Sequence, residues 1–300
     1  MNKWVKRTSI ALGALAMLGV AATVVGKALG ERKMARNVVL QVRALDVVSD
    51  PARIEHGRYL YNTRGCAECH GGDGAGKAII QDGGMRVVAP NITAGQNGTT
   101  AAYKVVDWVR TVRHGVKPNG NPVMIMPSED YSRFTDEDMA SLVAFLQQMP
   151  PVPGSKAVIE VPAQVKALYA FGMIQDASEK IDHAQGPAHP VTAAITPAYG
   201  AYVANSCIGC HGAALSGGRI PGTPPSWPAA ANLTPGKGSA MVRYPTPEAF
   251  MAMLRSGQRP DGKAISPVMP FASLKQMNDT DVRALYAYLK TVAPREAGRH

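Results

Sequence analysis

The longest apolar stretch lies at the start of the chain. From Thr8 to Gly26, 19 residues pass without a charge, after a positive opening of Lys3, Lys6 and Arg7. That run is longer than the apolar core of about 7–15 residues in a secretion signal. It approaches the roughly 20 residues that cross a bilayer. Residues 1–30 therefore read as an uncleaved membrane anchor, followed by a juxtamembrane segment over 31–49. A removed signal is the competing reading, because Gly26 and Ala28 form a weak small-residue cleavage pair. The positive-inside rule places Lys3, Lys6 and Arg7 on the cytoplasmic side, although Lys27, Arg32, Lys33 and Arg36 reduce the contrast.

Beyond residue 49 the apolar positions recur at helical spacing. Asp50 and Pro51 supply a cap and a first-turn proline for a helix carrying Ile54, Tyr59 and Leu60. Thr99 or Thr100 opens a second helix through Val105, Trp108, Val109 and Val112, which Gly115 ends. Thr135 to Asp138 opens a third, with acids in its first turn and an apolar face of Leu142, Val143, Phe145, Leu146 and Met149. Further on, Thr246-Pro247-Glu248 opens a helix over Phe250 to Leu254, closed by Gly257. Asp279-Thr280-Asp281 opens another with Val282, Leu285, Tyr286 and Leu289. The Gly/Pro-rich stretches between these helices read as loops. Pro150 to about Pro197 reads as an ordered strap joining two halves, with a short apolar helix near Val165 to Ile174.

The two halves repeat each other. Cys66-Ala67-Glu68-Cys69-His70 and Cys207-Ile208-Gly209-Cys210-His211 both read C-x-x-C-H and use all 4 cysteines. Asn91 lies 21 positions after His70, and Asn232 lies 21 after His211. Each asparagine opens an N-[I/L]-T triplet. Met126-Pro127 follows His70 by 56 positions, and Met269-Pro270 follows His211 by 58. A period of about 141 residues is too long for a solenoid and describes a duplicated domain.

C-x-x-C-H is the attachment signature of a c-type haem: the cysteines add to the vinyl groups and the histidine ligates the iron. A zinc site would bring its paired cysteines within about 15–20 residues, whereas Cys69 and Cys207 are 138 apart. A disulfide framework leaves the histidine after each second cysteine unexplained. A thioredoxin-like pair needs a βαβ setting, and strand-like alternation around the motifs is poor. Two covalently bound haem c groups are the expectation.

Composition narrows the picture further. With 300 residues, 46% hydrophobic and 18% charged, the chain has room for about two folded domains and is not a disordered polymer. The formal charge of +10 omits the haem propionates, which offset part of it. A basic surface suits an acidic redox partner or anionic lipid. No Lys/Arg run clusters inside the globular part, so nucleic acid is not an expected partner.

Ala89-Pro90-Asn91-Ile92-Thr93, Trp108 to Gly115, Met126-Pro127 and Phe134 to Asp138, with Asn232-Leu233-Thr234 and Val268 to Phe271 in the second half, carry a resemblance. Over roughly residues 50 to 293 the chain resembles a class I cytochrome c duplicated in tandem. More narrowly, it is similar to the membrane-bound cytochrome c subunits of bacterial periplasmic dehydrogenases of the alcohol and aldehyde type. Those subunits often carry three haems; this chain has two motifs. The resemblance implies an all-α fold of two tandem cytochrome c domains, over 50–152 and 196–293, preceded by an N-terminal transmembrane anchor helix. A Pro-rich linker at 153–195 and a tail at 294–300 complete the division.

It further implies covalent attachment at Cys66, Cys69, Cys207 and Cys210, and iron ligation by His70 with Met126 and by His211 with Met269. An iron with both axial positions filled suits electron transfer, and a thioether ligand raises its potential. Met124 competes with Met126, while Met139, Met149, Met251, Met253 and Met277 fall at helix positions and read as packing. His56 and His114 read as solvated or capping side chains, and His183, His189 and His300 as linker or tail. Trp108 and Trp227 stand between haem contact and core packing. Asn91 and Asn232 stand between a haem neighbour and a turn former. Each proximal histidine should donate its far ring N–H to a backbone carbonyl.

The expected function is electron carriage between a periplasmic dehydrogenase and a quinone pool or terminal oxidase. The haem domains are expected on the periplasmic side of a bacterial cytoplasmic membrane, with catalysis in another chain. A dihaem peroxidase-like oxidoreductase is the alternative; it needs an exchangeable iron position, which the matched Met-Pro pairs oppose.

Overall fold

The computed structural model describes residues 3–298, so residues 1 and 2 of the anchor and His300 of the tail lie outside the described residues. The first half runs α1 (Lys3–Met34), α2 (Pro51–Thr63), α3 (Cys66–His70), β1 (Ala78–Asp82), β2 (Met85–Val88), α4 (Val105–His114), α5 (Ser128–Tyr131) and α6 (Asp136–Gln147). The connecting segment holds β3 (Val158–Glu160), α7 (Ala163–Ala170) and α8 (Ala177–Lys180). The second half runs α9 (Pro197–Ala204), α10 (Ile208–His211), α11 (Pro247–Ser256), α12 (Phe271–Leu274) and α13 (Asp279–Leu289).

The helix starts follow from their caps. Asp50 accepts from Arg53 N at 3.0 Å, Thr135 from Asp138 N at 3.0 Å and Asn278 from Asp281 N at 2.8 Å. Each satisfies an amide that the first turn leaves without a partner. The second helix begins at Val105, later than Thr99 or Thr100. Those threonines are committed to the preceding loop, where Thr99 Oγ1 donates to Asn91 O at 3.1 Å and Thr100 Oγ1 to Ile92 O at 2.6 Å.

The loop after the first C-x-x-C-H contains a hairpin, where its Gly/Pro-rich composition predicts irregular chain. β1 pairs antiparallel with β2, and β3 from the connecting segment adds to β2. Gly83 and Gly84, at φ 59° and 75°, form the tip. Two adjacent left-handed residues suit the twist of a two-residue hairpin loop. Short strands and a register shift between Ala78 and Ile80 hid the alternation.

Each half has its own core. In the first, Tyr61, Trp108, Val109, Met139, Leu142 and Val143 are buried together. In the second, Val203, Phe250, Leu254, Val282, Leu285 and Leu289 are. Both halves cross the helix before the C-x-x-C-H turn over their last helix by the same device. A Cβ at Gly57 of α2 would lie 2.0 Å from Ser141 O of α6, and one at Gly200 of α9 would lie 1.9 Å from Ala284 O of α13. Only glycine permits so close an approach.

The two halves face each other across a polar, buried contact. Asp281 of α13 is 0% exposed. It accepts from Arg64 Nη2 at 2.6 Å and Tyr59 OH at 2.8 Å from the first half, and from Tyr199 OH at 2.7 Å within its own. Asp138 of α6, the counterpart, accepts from Tyr202 OH of the second half and bonds His56 Nε2 at 2.6 Å. Burial works to raise the Asp138 pKa, but the His56 and Tyr202 hydrogen bonds outweigh it and hold the carboxyl below its ordinary value. His56 is exposed, as the sequence suggests, and from the surface it also holds Asp138 at the contact.

Candidate haem-attachment sites

α3 is one turn of helix framed by Gly65 at φ 87° and Gly71 at φ 78°. It puts Cys66 and Cys69, three apart, on one face, with His70 next in line. His70 Nδ1 lies 3.0 Å from Pro90 O. In the second half, α10 follows a 3-10 turn over Asn205–Cys207, and His211 Nδ1 lies 2.8 Å from Ala231 O. A carbonyl can only accept, so each Nδ1 carries the proton and each Nε2 presents the lone pair that iron needs. The bond is the same whether residue 90 is proline or residue 231 is alanine, because only the backbone oxygen takes part. Burial pushes the His70 pKa below its ordinary value, which favours the neutral, ligating ring.

None of the four cysteines is in a disulfide. Desolvation pushes the half-buried Cys66 and Cys207 thiols up to about 12, and desolvation with the Asp130 carboxylate nearby pushes Cys210, which reaches the surface, to about 11. This donor set, two thiols three residues apart beside a histidine oriented by a backbone carbonyl, fits covalent haem in each half.

Met126 packs against the first core, as do Cys66 and Ala67. Met269 packs against the second, as do Cys207 and Ile208. The prolines after them share one conformation, with φ −79° and ψ 67° at Pro127 and φ −79° and ψ 65° at Pro270. The approach loops also match: Val123 N donates to Gly115 O at 2.7 Å, and Ile265 N to Gly257 O at 2.8 Å. The two repeats therefore fold the methionine turn alike.

Asn91 and Asn232 are latches. Asn91 Oδ1 accepts from Thr93 N and Thr93 Oγ1, both at 2.8 Å, while Nδ2 donates to Val152 O at 2.7 Å. Asn232 does the same with Thr234, and donates to Arg295 O at 2.8 Å. Each asparagine directly follows the carbonyl that orients the histidine, so the shared 21-residue offset serves that carbonyl's placement. Trp108 is buried edge-on to Tyr103, and Trp227 packs on the hairpin.

Residues that the sequence did not single out join the two sites. α10 packs on α5, the helix after Met126; α3 packs on α12, the helix after Met269. Gly209 N, between the second pair of cysteines, donates to Asp130 Oδ1 of α5 at 2.6 Å. Ser273 N of α12 donates to Glu68 Oε1, between the first pair, at 2.8 Å. The carboxylate sits on the attachment helix in one tie and on the methionine side in the other. A polar residue inside C-x-x-C-H was the available signal at Glu68; nothing local marks Asp130.

Two helical cores, each offering a thiol pair, an oriented histidine and a methionine turn, define a tandem haem-binding electron carrier as a class. The Cytochrome c family pattern matches residues 54–150 and 196–293, and the chain belongs to that family. The cytochrome subunit of fructose dehydrogenase from Gluconobacter japonicus is 26% identical over 280 residues, covering 82% of this chain and 54% of that one. The cytochrome c subunit of the quinone alcohol dehydrogenase from Gluconobacter oxydans is 36% identical over 95 residues, 30% of this chain and 20% of that one. Subunit CcoP of the cbb3-type cytochrome c oxidase from Helicobacter pylori is 29% identical over 122 residues, 40% of this chain and 36% of that one. The chain spans about half the length of the fructose dehydrogenase subunit, and less of the others.

Proposed function

We propose that this protein is a membrane-anchored dihaem c-type cytochrome that carries single electrons from a periplasmic dehydrogenase towards the quinone pool or a terminal oxidase. The observation that carries the proposal is the reciprocal docking of the two attachment helices. Glu68–Ser273 and Asp130–Gly209 hold each C-x-x-C-H turn against the opposite half.

In this reading Cys66, Cys69, Cys207 and Cys210 form the thioether links. His70 and His211 ligate through Nε2, and Met126 and Met269 complete the ligand sets. Haem c iron supplies a one-electron couple, and a thioether ligand favours its ferrous state. The chain's own work is to fix ligand orientation, exclude water from the cores and hold two carriers at constant separation. The dehydrogenase partner rests on the kind of complex in which the similar subunits are found. α1 serves as the anchor because it is long and apolar enough to cross a membrane.

Mass spectrometry of the protein matured with a haem-attachment system should show two haem additions, and Cys66→Ala with Cys69→Ala should leave one that still reduces. Enzyme-like turnover of hydrogen peroxide by the reduced protein would overturn the carrier reading.

A further inference from the structure

The chain has a second apolar surface, and it adjoins the exit of α1. The last third of α1 lies on α7. A Cβ at Gly26 would lie 2.6 Å from Ala167 Cβ and 3.4 Å from Phe171 Cε2, and one at Gly30 would lie 2.3 Å from Lys166 O. Glycines four apart therefore seat the two helices backbone to backbone. Ion pairs then clamp the joint. Lys166 meets Glu31 at 2.6 Å, Lys33 meets Glu179 at 2.9 Å, and Arg36 meets Asp176 at 2.7 Å, where the Asp176 side chain is 0% exposed. The linker is fixed to the anchor at several points, so its position relative to α1 is determined.

At this joint α7 ends in an exposed apolar turn. Phe171 is 62% exposed, Met173 68% and Leu168 38%. Gly172, at φ 75°, turns the chain there. The 19 uncharged residues from Thr8 to Gly26 span about 28 Å at 1.5 Å per residue, close to the roughly 30 Å hydrocarbon core. Gly26 thus falls at the end of the apolar slab, and Phe171 touches Gly26. Val24, Val25 and Leu29, exposed on α1, flank the same level.

Resting on the reading of α1 as a membrane span, we propose that the Leu168–Met173 turn seats in the interfacial layer of the bilayer beside α1, on the side that carries the haem domains. Apolar and aromatic side chains at that depth lose water without losing a hydrogen-bond partner. Two contacts with the membrane, a span and a wedge, stop the haem pair from swinging on a tether. They present one fixed face of it to partners that diffuse along the same surface.

The test uses the full-length dihaem protein in phosphatidylcholine–phosphatidylglycerol liposomes. The native cysteines are consumed by haem, so a nitroxide can be placed singly through Phe171→Cys, Met173→Cys, Leu18→Cys or Val242→Cys. Collisional relaxation by oxygen, which enters lipid, is compared with that by a water-soluble nickel chelate. The expected result is an oxygen-favoured ratio at 171 and 173, stronger at 18, and reversed at the exposed second-half position 242. Nickel-favoured relaxation at 171 and 173 with position 18 still oxygen-favoured overturns the wedge and leaves the anchor standing. Nickel-favoured relaxation at 18 overturns both. Protection from both reagents at 171 and 173 overturns the lipid assignment in favour of a protein cover.

Discussion

Asp281→Ala leaves the Arg64 guanidinium without its partner inside the contact between the halves. The pair's side chains are 3% and 1% exposed, and Asp281 also receives the Tyr59 and Tyr199 hydroxyls. Breaking a buried pair from one side costs about 3–5 kcal/mol, mostly for the charge left unsolvated. The exposed Arg283–Glu248 pair is almost as short, at 2.7 Å, yet Glu248→Ala should cost far less than Asp281→Ala, because water screens it. Contact distance is therefore a poor guide, and burial decides the magnitude. Urea unfolding of the haem-loaded protein, followed by far-ultraviolet circular dichroism, checks both. Because Arg64 and Asp281 belong to opposite halves, the variant should also split one transition into two. Arg64→Met with Asp281→Leu should recover most of the loss, since well-packed apolar replacements of a buried pair are neutral or better. An Asp281→Ala cost no larger than that of Glu248→Ala would refute the reasoning, for it would mean that water reaches the pair.

Gly57→Ala and Gly200→Ala should each destabilise their own half by about 1–3 kcal/mol or more through overpacking. Gly19→Ala, which meets nothing within 4 Å, should be neutral in thermal melts. Burial, with His183 and Arg113 adding, pushes His114 down to about 4. The unfolded chain takes up that proton near the ordinary value of about 6.5, so folding stability falls as pH drops from about 6.5 to about 4. His114→Gln should flatten that slope in urea midpoints measured across the window, and an unchanged slope would count against the half-buried contact in which His114 Nδ1 lies 3.1 Å from His183 Nδ1. Met126→Ala should lower one of two midpoint potentials in a spectroelectrochemical titration, whereas Met124→Ala should move neither. A reversed outcome would misplace the first methionine ligand.

The attachment motifs, the duplication and the anchor run were legible because each is local or periodic: cysteine and histidine spacing along one helical turn, a fixed offset, an unbroken apolar stretch. The histidine–carbonyl bond could be anticipated as a type, yet its acceptor could not be tied to proline, since backbone oxygens carry no sequence signature. The hairpin at Gly83-Gly84 had a turn signal but strands too short to show their period. Tertiary structure decided the rest. Arg64 reads locally as one more basic residue, as Asp130 reads as an ordinary acid. Their chemistry comes from partners 217 and 79 positions away, brought close when the two halves dock. The Gly26–Gly30 contact with α7 is of the same kind. The sequence marks small residues and an apolar helix, but which backbone they admit depends on where a linker more than 130 residues later returns to the anchor.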